Sequence, residues 1–496
     1  MTVARARERA RRVAPMSILL ASISVGAALR AWAAVENDGV YVPDEIYQSV
    51  EPAHRLVFGY GLVAWEFIEG ARSWIFPGLI AGALRVFAWF GLDTSPDYVV
   101  AVRLSFAALG VMTCCGCAAL ARALGASRMT AALAAALFSL MGLAVYFAPR
   151  ALSESAAAAP VVFGLALVLH GDGSRKRLVI GAALLGVSAC LRLPCAIFCA
   201  GSLIVLKGRN RGRAALCASG VFLSCALVYG LIDFLTWGRF FHSAITYLQF
   251  NLVEGKASLF GTEPMSYYAR VLYRTLGPMC LLLLPLAALG ARRSPGTAGI
   301  LLAFYLAHAL TPHKELRFLV PLLAPLCALA GLGVQELARW RPSAGRAATA
   351  VALVLAISSA AALPRLTLRA MGHEGPPDSS ALERAAPENR LLAAAGRRAD
   401  LCGIMLLSED RIWSGAYFYL HKNAPLYQRP DPDVPRAERP ESALEAGHYN
   451  YVIALAGQHE GHVVAEDSGR VLARVGSTCR RDPSYDYVLN GRPGSP

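Results

Sequence analysis

The sequence predicts a polytopic α-helical membrane protein that carries a small α/β domain after its last span. Three observations predict it. Hydrophobic residues make up 55% of the 496 and charged ones only 17%, at a mean hydropathy of +0.44, whereas a soluble chain of this size is about a quarter charged. Apolar runs recur along the chain as far as residue 363. Beyond about residue 364 the composition turns charged and Pro-rich, and the apolar runs fall below membrane length. The formal charge of +14 sits in short Lys/Arg clusters between the apolar runs. That is the pattern of cytoplasmic loops, and it argues against a nucleic-acid partner.

A span needs about 20 apolar residues, fewer where the bilayer thins or a helix stands short inside a bundle. Eleven runs qualify, at 15–34, 100–121, 129–147, 156–169, 178–191, 193–206, 214–232, 276–291, 297–310, 318–334 and 347–363. Arg5, Arg7, Arg9, Arg11 and Arg12 precede the first run, which places residues 1–14 in the cytoplasm and argues against a cleaved signal peptide. Threaded from there, Arg122/Arg128, Arg175-Lys176-Arg177, the cluster from Lys207 to Arg213, Arg292-Arg293 and the cluster from Arg339 to Arg346 all fall on the cytoplasmic side. The condition is that residues 74–90, with Pro77 and Arg85, lie as an interfacial or re-entrant helix in the first outer loop. The two 14-residue runs flanking Arg192-Leu193-Pro194 each rise about 21 Å as helices, short for a hydrocarbon core of about 30 Å, and only the charge pattern keeps them separate.

The expected organisation is therefore a transmembrane domain at 15–363, with outer loops at 35–98 and 233–274, and an extracytoplasmic domain at 364–496. In that last domain 403–407, 449–455 and 471–475 read as strands, and 381–398 and 414–421 as helices. Ten of the twelve cysteines lie in apolar runs and read as small hydrophobes. Cys402 and Cys479 are the two in the outer tail, where the compartment permits a disulfide.

Every polar motif with chemical character falls on the outer side. Pro43-Asp44-Glu45 leads into Gln48, Glu51, His54 and Arg55, then Gly59-Tyr60-Gly61 and Trp65-Glu66. Alone, Asp44 reads as a helix N-cap and Glu51 with Arg55 as an i,i+4 ion pair. The crowd of ionisable groups at a membrane edge argues for chemistry instead. The second cluster is His313-Lys314-Glu315-Leu316-Arg317-Phe318. Its plain reading is interfacial anchoring with Glu315 as neutralising partner; its sharper reading is a cationic pocket for a phosphate.

These two motifs, with Arg72-Ser73, Pro77 and, in the long outer loop, Asp233, Trp237-Gly238, Asn251, Gly261 and Tyr267-Tyr268, resemble glycosyltransferase family 22, the polyprenol-phosphate-mannose-dependent mannosyltransferases of GPI-anchor and N-glycan assembly. The resemblance covers roughly residues 15–335. The chain departs from the family pattern at Val42, where the family usually has His, and at Ala64, where it has Thr. The tail and short loops look bacterial, with a bacterial polyprenol as carrier.

The resemblance implies a GT-C fold and an inverting transfer of a mannosyl or similar hexosyl group from a polyprenyl-phosphate-linked sugar to a hydroxyl of a glycan or glycolipid. It makes Asp44 the general base, with Glu45 as helper. His313, Lys314 and Arg317, joined by Arg192 and Arg150, hold the phosphate. Gln48, Glu51, His54, Trp65, Glu66, Asn251 and Tyr267 become contacts for sugar or acceptor. No cofactor or metal is expected, because fixed cations supply the positive charge; Asp44, Glu45 and Glu66 are the residues able to ligate one. The alternatives are an oligosaccharide ligase or polymerase of surface glycans, which uses a diphosphate-linked donor, and a lipid-linked sugar transporter or flippase, for which inverted repeats are expected and none is evident.

Overall fold

The computed structural model describes residues 3–171, 173–206, 210–373, 379–428, 447–476 and 479–489. Lys207 and Arg209 of the expected cytoplasmic cluster lie outside these residues. The chain divides into two units, Met1–Ala34 with Leu104–Asp378, and Val35–Arg103 with Ser379–Pro496.

All eleven apolar runs are helical. Five helices among the described residues are long and apolar enough to cross a bilayer, at Ala14–Glu36, Asp97–Ala123, Arg211–Trp237, Leu316–Trp340 and Pro342–Ala361. A sixth span arises if Tyr267–Leu276 and Pro278–Ala291, bent by 118°, act as one. The other runs form shorter helices at Arg128–Ser139, Ser153–Val168, Arg175–Leu191, Leu193–Val205 and Pro295–Ala309. The protein is thus an integral membrane protein whose helices include several shorter than a bilayer.

Within the first unit, Leu316–Trp340 is the central helix, 83% buried over its apolar window, and it packs against Pro278–Ala291, Arg128–Ser139 and Ser153–Val168. Small residues let the backbones approach: a Cβ at Gly290 would run into Leu329 O and one at Gly333 into Leu286 O. Arg211–Trp237, only 11% buried, presents most of its surface outward. Run 129–147 is not one helix; it breaks at Leu140 and restarts at Gly142. The two runs beside Arg192 are separate, as the charge pattern requires: Arg192 is extended (φ −145°), and a 3-10 turn with Pro194 follows before Ala196–Val205.

The second unit has boundaries that differ from the expected ones. The tail does not stand alone, because the first outer loop folds with it. Its sheet consists of β1 (Ile404–Leu406), β2 (Leu426–Gln428), β3 (Tyr451–Leu455), β4 (His462–Asp467) and β5 (Arg470–Arg474), in the order β2-β1-β3-β5-β4. β1 is parallel to β2 and β3, while β5 is antiparallel to β3 and β4. Cys402 and Cys479 form a disulfide. Loop residues close onto the tail: Val63 bridges Val488, Val40 N donates to Arg384 O at 2.9 Å, and the Tyr98 hydroxyl donates to Phe418 O at 2.5 Å. The helix Ile75–Trp89 packs on Glu51–Phe58 and on Ile46–Val50 of the same unit, with Trp89 84% and Phe90 77% exposed.

Candidate functional site

In the second unit, Pro43 starts a tight turn whose carbonyl accepts from Ile46 and Tyr47 N–H. The chain then winds as a π-helical turn, Ile46–Val50, before an α-helix, Glu51–Phe58, ended by left-handed Gly59 (φ 85°). A π-helical turn re-aims the side chains around it and occurs frequently at functional sites. Asp44 keeps 27% of its side chain exposed, and its carboxylate lies 4.0 Å from the Arg72 guanidinium. Glu45 is buried and accepts from Tyr41 N–H at 3.0 Å. Glu66, also buried, accepts from Gln48 Nε2 at 2.8 Å. Burial and the neighbouring Asp44 charge push the Glu66 carboxyl up to about 7, against the pull of Arg72 and Gln48. Asp44, Glu66, Gln48 and Arg72 are thus one group, with half-buried Trp65 next to Glu66 in the chain.

Two residues expected to contact sugar or acceptor are internal instead. Glu51 is fully buried; its carboxylate accepts from Leu62 N–H at 2.6 Å, Phe418 N–H at 2.9 Å and Tyr417 N–H at 3.4 Å. Burial pushes it up to about 8, although these donors favour the ionised form. Arg55, its expected i,i+4 partner, hydrogen-bonds Gly61 O at 2.8 Å. His54 is fully buried between Tyr60 O and His421 Nδ1, each at 3.1 Å, and burial with the His421 ring lowers its pKa to about 3. Both side chains fasten the loop to the tail.

In the first unit the cations are organised by Glu154 and by Glu315, the latter read from the sequence as the neutralising partner of its cluster. Arg192 Nη1 lies 2.8 Å from Glu154 Oε1, and Arg317 Nε 3.7 Å from the same oxygen. Arg317 also forks onto Glu315, at 2.8 and 2.7 Å, and His313 Nε2 meets that carboxylate at 3.0 Å. Burial alone would raise the Glu315 carboxyl, but Arg317 and His313 hold it well below the usual range. Both guanidinium groups stand over the Phe318 ring, at 4.9 and 5.2 Å. Lys314 serves the backbone: its buried ammonium donates to Glu263 O and Thr311 O at 2.6 Å and to Pro312 O at 3.4 Å, which locks this loop. Arg150 is buried over Tyr146 at 4.1 Å. Asn251 bonds back to Tyr247 O at 2.8 Å, and Tyr267 is buried beside the His313–Arg317 loop.

Among the described residues no three His, Cys, Asp or Glu side chains gather as a metal-binding group. The sequence marked Arg150 to Glu154 as an outer polar motif but not Glu154 as the partner of Arg192 and Arg317, and it missed His421, because in each case the partner is remote in sequence. The one available signal was Glu154 opening an otherwise apolar helix.

Residues 22–391 match the Alg9-like mannosyltransferase family. The chain is 33% identical over 311 residues to GPI mannosyltransferase 3 of Yarrowia lipolytica, covering 60% of this chain and 58% of that protein. It is 28% identical over 354 residues to GPI mannosyltransferase 3 of Schizosaccharomyces pombe, covering 64% and 68%, and 26% identical over 318 residues to mouse GPI alpha-1,2-mannosyltransferase 3, covering 61% and 57%. These relatives are fungal and animal, so the expected bacterial character finds no support in them. In structure, the chain resembles ArnT from Cupriavidus metallidurans bound to undecaprenyl phosphate, at TM-score 0.57 and 15% identity over 93% of this chain and 99% of that one. It also resembles the oligosaccharyltransferase AglB from Archaeoglobus fulgidus, in complex with an inhibitory peptide and a dolichol-phosphate, at TM-score 0.54 and 13% identity over 90% and 70%. The fold is that of the GT-C membrane glycosyltransferases. By the family match over most of its length, the chain belongs to the Alg9-like mannosyltransferase family.

Proposed function

We propose that the protein transfers a mannosyl group from a polyprenyl-phosphate-linked donor to a hydroxyl of a glycolipid or glycan, with inversion at the anomeric carbon, on the extracytoplasmic or lumenal side of its membrane. The acceptor oxygen attacks C1, the bond from C1 to the phosphate oxygen breaks with its electron pair leaving on the lipid phosphate, and the acceptor proton passes to Asp44. Such a displacement needs a base at the attacking oxygen and fixed positive charge for the departing phosphate.

The observation that carries the reading is Asp44, a partly exposed carboxylate just ahead of the π-helical turn Ile46–Val50, in a group with Arg72, Gln48 and the buried Glu66. Glu45, tied to Tyr41 N–H, positions the turn. Arg317, Arg192 and His313 are the groups we assign to the donor phosphate, with Glu154 and Glu315 orienting their forks. Arg150 joins the set as a buried cation, while Lys314 shapes the loop. Trp65, Gln48 and Glu66 are the sugar contacts, and Asn251 and Tyr267 belong to the long loop that frames the acceptor.

The test is transfer from radiolabelled polyprenyl-phosphate-mannose to membrane glycolipids by the wild type and by Asp44→Asn at matched expression. Transfer by the wild type should fall about a thousandfold or more in the variant, since both the base and its charge are removed. Equal transfer by the two proteins removes Asp44 from the mechanism.

A further inference from the structure

One cavity of the first unit holds a cluster of cations that the transfer step does not use. It measures about 440 Å³ and is lined by Glu263, Tyr267, Arg270, Val271, Arg274, Arg369, Gly372 and His373. Three guanidinium groups and an imidazole therefore share one cavity with a single carboxylate. Glu263 pairs with Arg270 at 3.3 Å. Arg274 and Arg369 have no carboxylate within ion-pair distance among the described residues.

The backbone places these charges deliberately. Arg270 and Arg274 are one turn apart on the helix Tyr267–Leu276, so both project from one face. Gly277 (φ 54°) then turns the chain by 118° into the apolar helix Pro278–Ala291. Arg369 follows the end of the long apolar helix Pro342–Ala361 and its 3-10 turn Leu363–Arg365. Gly372 (φ 92°) passes so close to Tyr267 that a Cβ there would collide with the phenol oxygen. The cavity consequently lies where one apolar helix begins and another ends, and the ends of membrane spans are where headgroup phosphates are met.

Unbalanced guanidinium groups repel one another, and an arginine fork matches phosphate oxygens in geometry and charge. We infer that this cavity binds the phosphate group of a membrane amphiphile, held by Arg274 and Arg369 with Arg270 and His373 beside them. The inference rests on the proposed transfer reaction, in which Arg317 and Arg192 already hold the donor phosphate; the cavity then takes a second phosphate, that of the lipid-borne acceptor. Through Glu263, which lines it, the cavity connects to the His313–Arg317 loop: Glu263 N–H donates to Pro312 O at 3.0 Å, and Lys314 donates to Glu263 O. Filling the cavity would steady the loop that carries the donor-binding cations.

The test is native mass spectrometry of the purified full-length protein with three probes: phosphatidylinositol as a phosphodiester lipid, a polyprenyl monophosphate, and inorganic phosphate. The variants are Arg274→Gln/Arg369→Gln and Arg274→Lys/Arg369→Lys. We expect the Gln pair to weaken phosphatidylinositol binding about tenfold or more while the Lys pair retains most of it, with polyprenyl monophosphate unaffected. Loss of the monophosphate instead supports the same cavity with the carrier lipid as its source. Binding of both lipids unchanged in the Gln pair, or an effect on inorganic phosphate alone, overturns the proposal. Arg317→Gln is measured in parallel: if it keeps full affinity for the polyprenyl monophosphate, the donor-phosphate assignment fails independently of the Arg274/Arg369 result.

Discussion

Asp44 and Glu66 show how one residue's environment sets its charge. Both are carboxyls of the same short segment, but Asp44 keeps access to water and to Arg72, whereas Glu66 is buried with Gln48 as its donor. The raised pKa of Glu66, about 7, means that the folded protein binds its proton more tightly than the unfolded chain does. Its contribution to stability is therefore complete below the ordinary glutamate range and is lost as pH rises through 7. The shift corresponds to roughly 3 kcal/mol. Glu66→Gln stays neutral and still offers an oxygen to Gln48, so it should melt like the wild type at pH 5 and above it at pH 8. Identical melting at both pH values would show that Glu66 is ionised without cost. His54 acts in the opposite sense: its lowered pKa costs stability as pH falls from its usual range towards 3.

Among the elements, the helix break at Arg192 has a specific electrostatic cause. Pro194 prevents the helix Arg175–Leu191 from continuing, and the extended Arg192 reaches Glu154 at the first turn of Ser153–Val168. With side-chain exposures of 9% and 1%, neither charge is solvated well enough to stand alone. Glu154→Ala should lower stability by roughly 3–5 kcal/mol, read as a fall in melting temperature of the purified protein, because Arg192 remains buried without its carboxylate. A melting temperature within a degree of wild type would mean that water or Glu315 replaces Glu154. The sequence made the break legible through Arg192-Leu193-Pro194 but not the ion pair, because nothing local marks Glu154 as a partner for a residue 38 positions on. The apolar helices were legible for the same reason that they form: each carries its own hydrogen bonds and needs only an apolar surface. β2 and β4 were not, since β2 has three residues and β4 is an edge strand largely exposed on both faces, without the alternation that marks a half-buried strand.

At the level of the whole molecule, the least legible feature is that the tail and the first outer loop form one unit, although more than 270 residues separate them. Long-range pairing of this kind leaves no periodicity in either segment. It is written in singular contacts: Glu51 with Tyr417 and Phe418 N–H, His54 with His421, and Asn389 Nδ2 with Asp38 O at 2.7 Å. The helix Ala416–Leu420 is buried at every position and shares its contacts with this loop, Phe418 packing on Tyr98 at 5.2 Å and Tyr419 on Arg103 at 5.5 Å. Uncovering aromatics of this size costs about 1.5–3 kcal/mol each at full exposure. A domain of about 120 residues has only 5–15 kcal/mol in total. The Cys402–Cys479 disulfide restrains the unfolded tail and holds the start of β1 to the segment after β5, but it cannot cover that helix. A fragment spanning 364–496 should accordingly unfold without a sharp transition by circular dichroism and give a poorly dispersed amide NMR spectrum, even when oxidised. A cooperative melt from the fragment alone would show that the sheet is self-sufficient and that the loop merely docks on it. If the fragment fails as expected, the turn that carries Asp44 owes its geometry to residues near the opposite end of the chain, and tail variants such as His421→Ala should impair transfer through the shape of that turn without touching substrate.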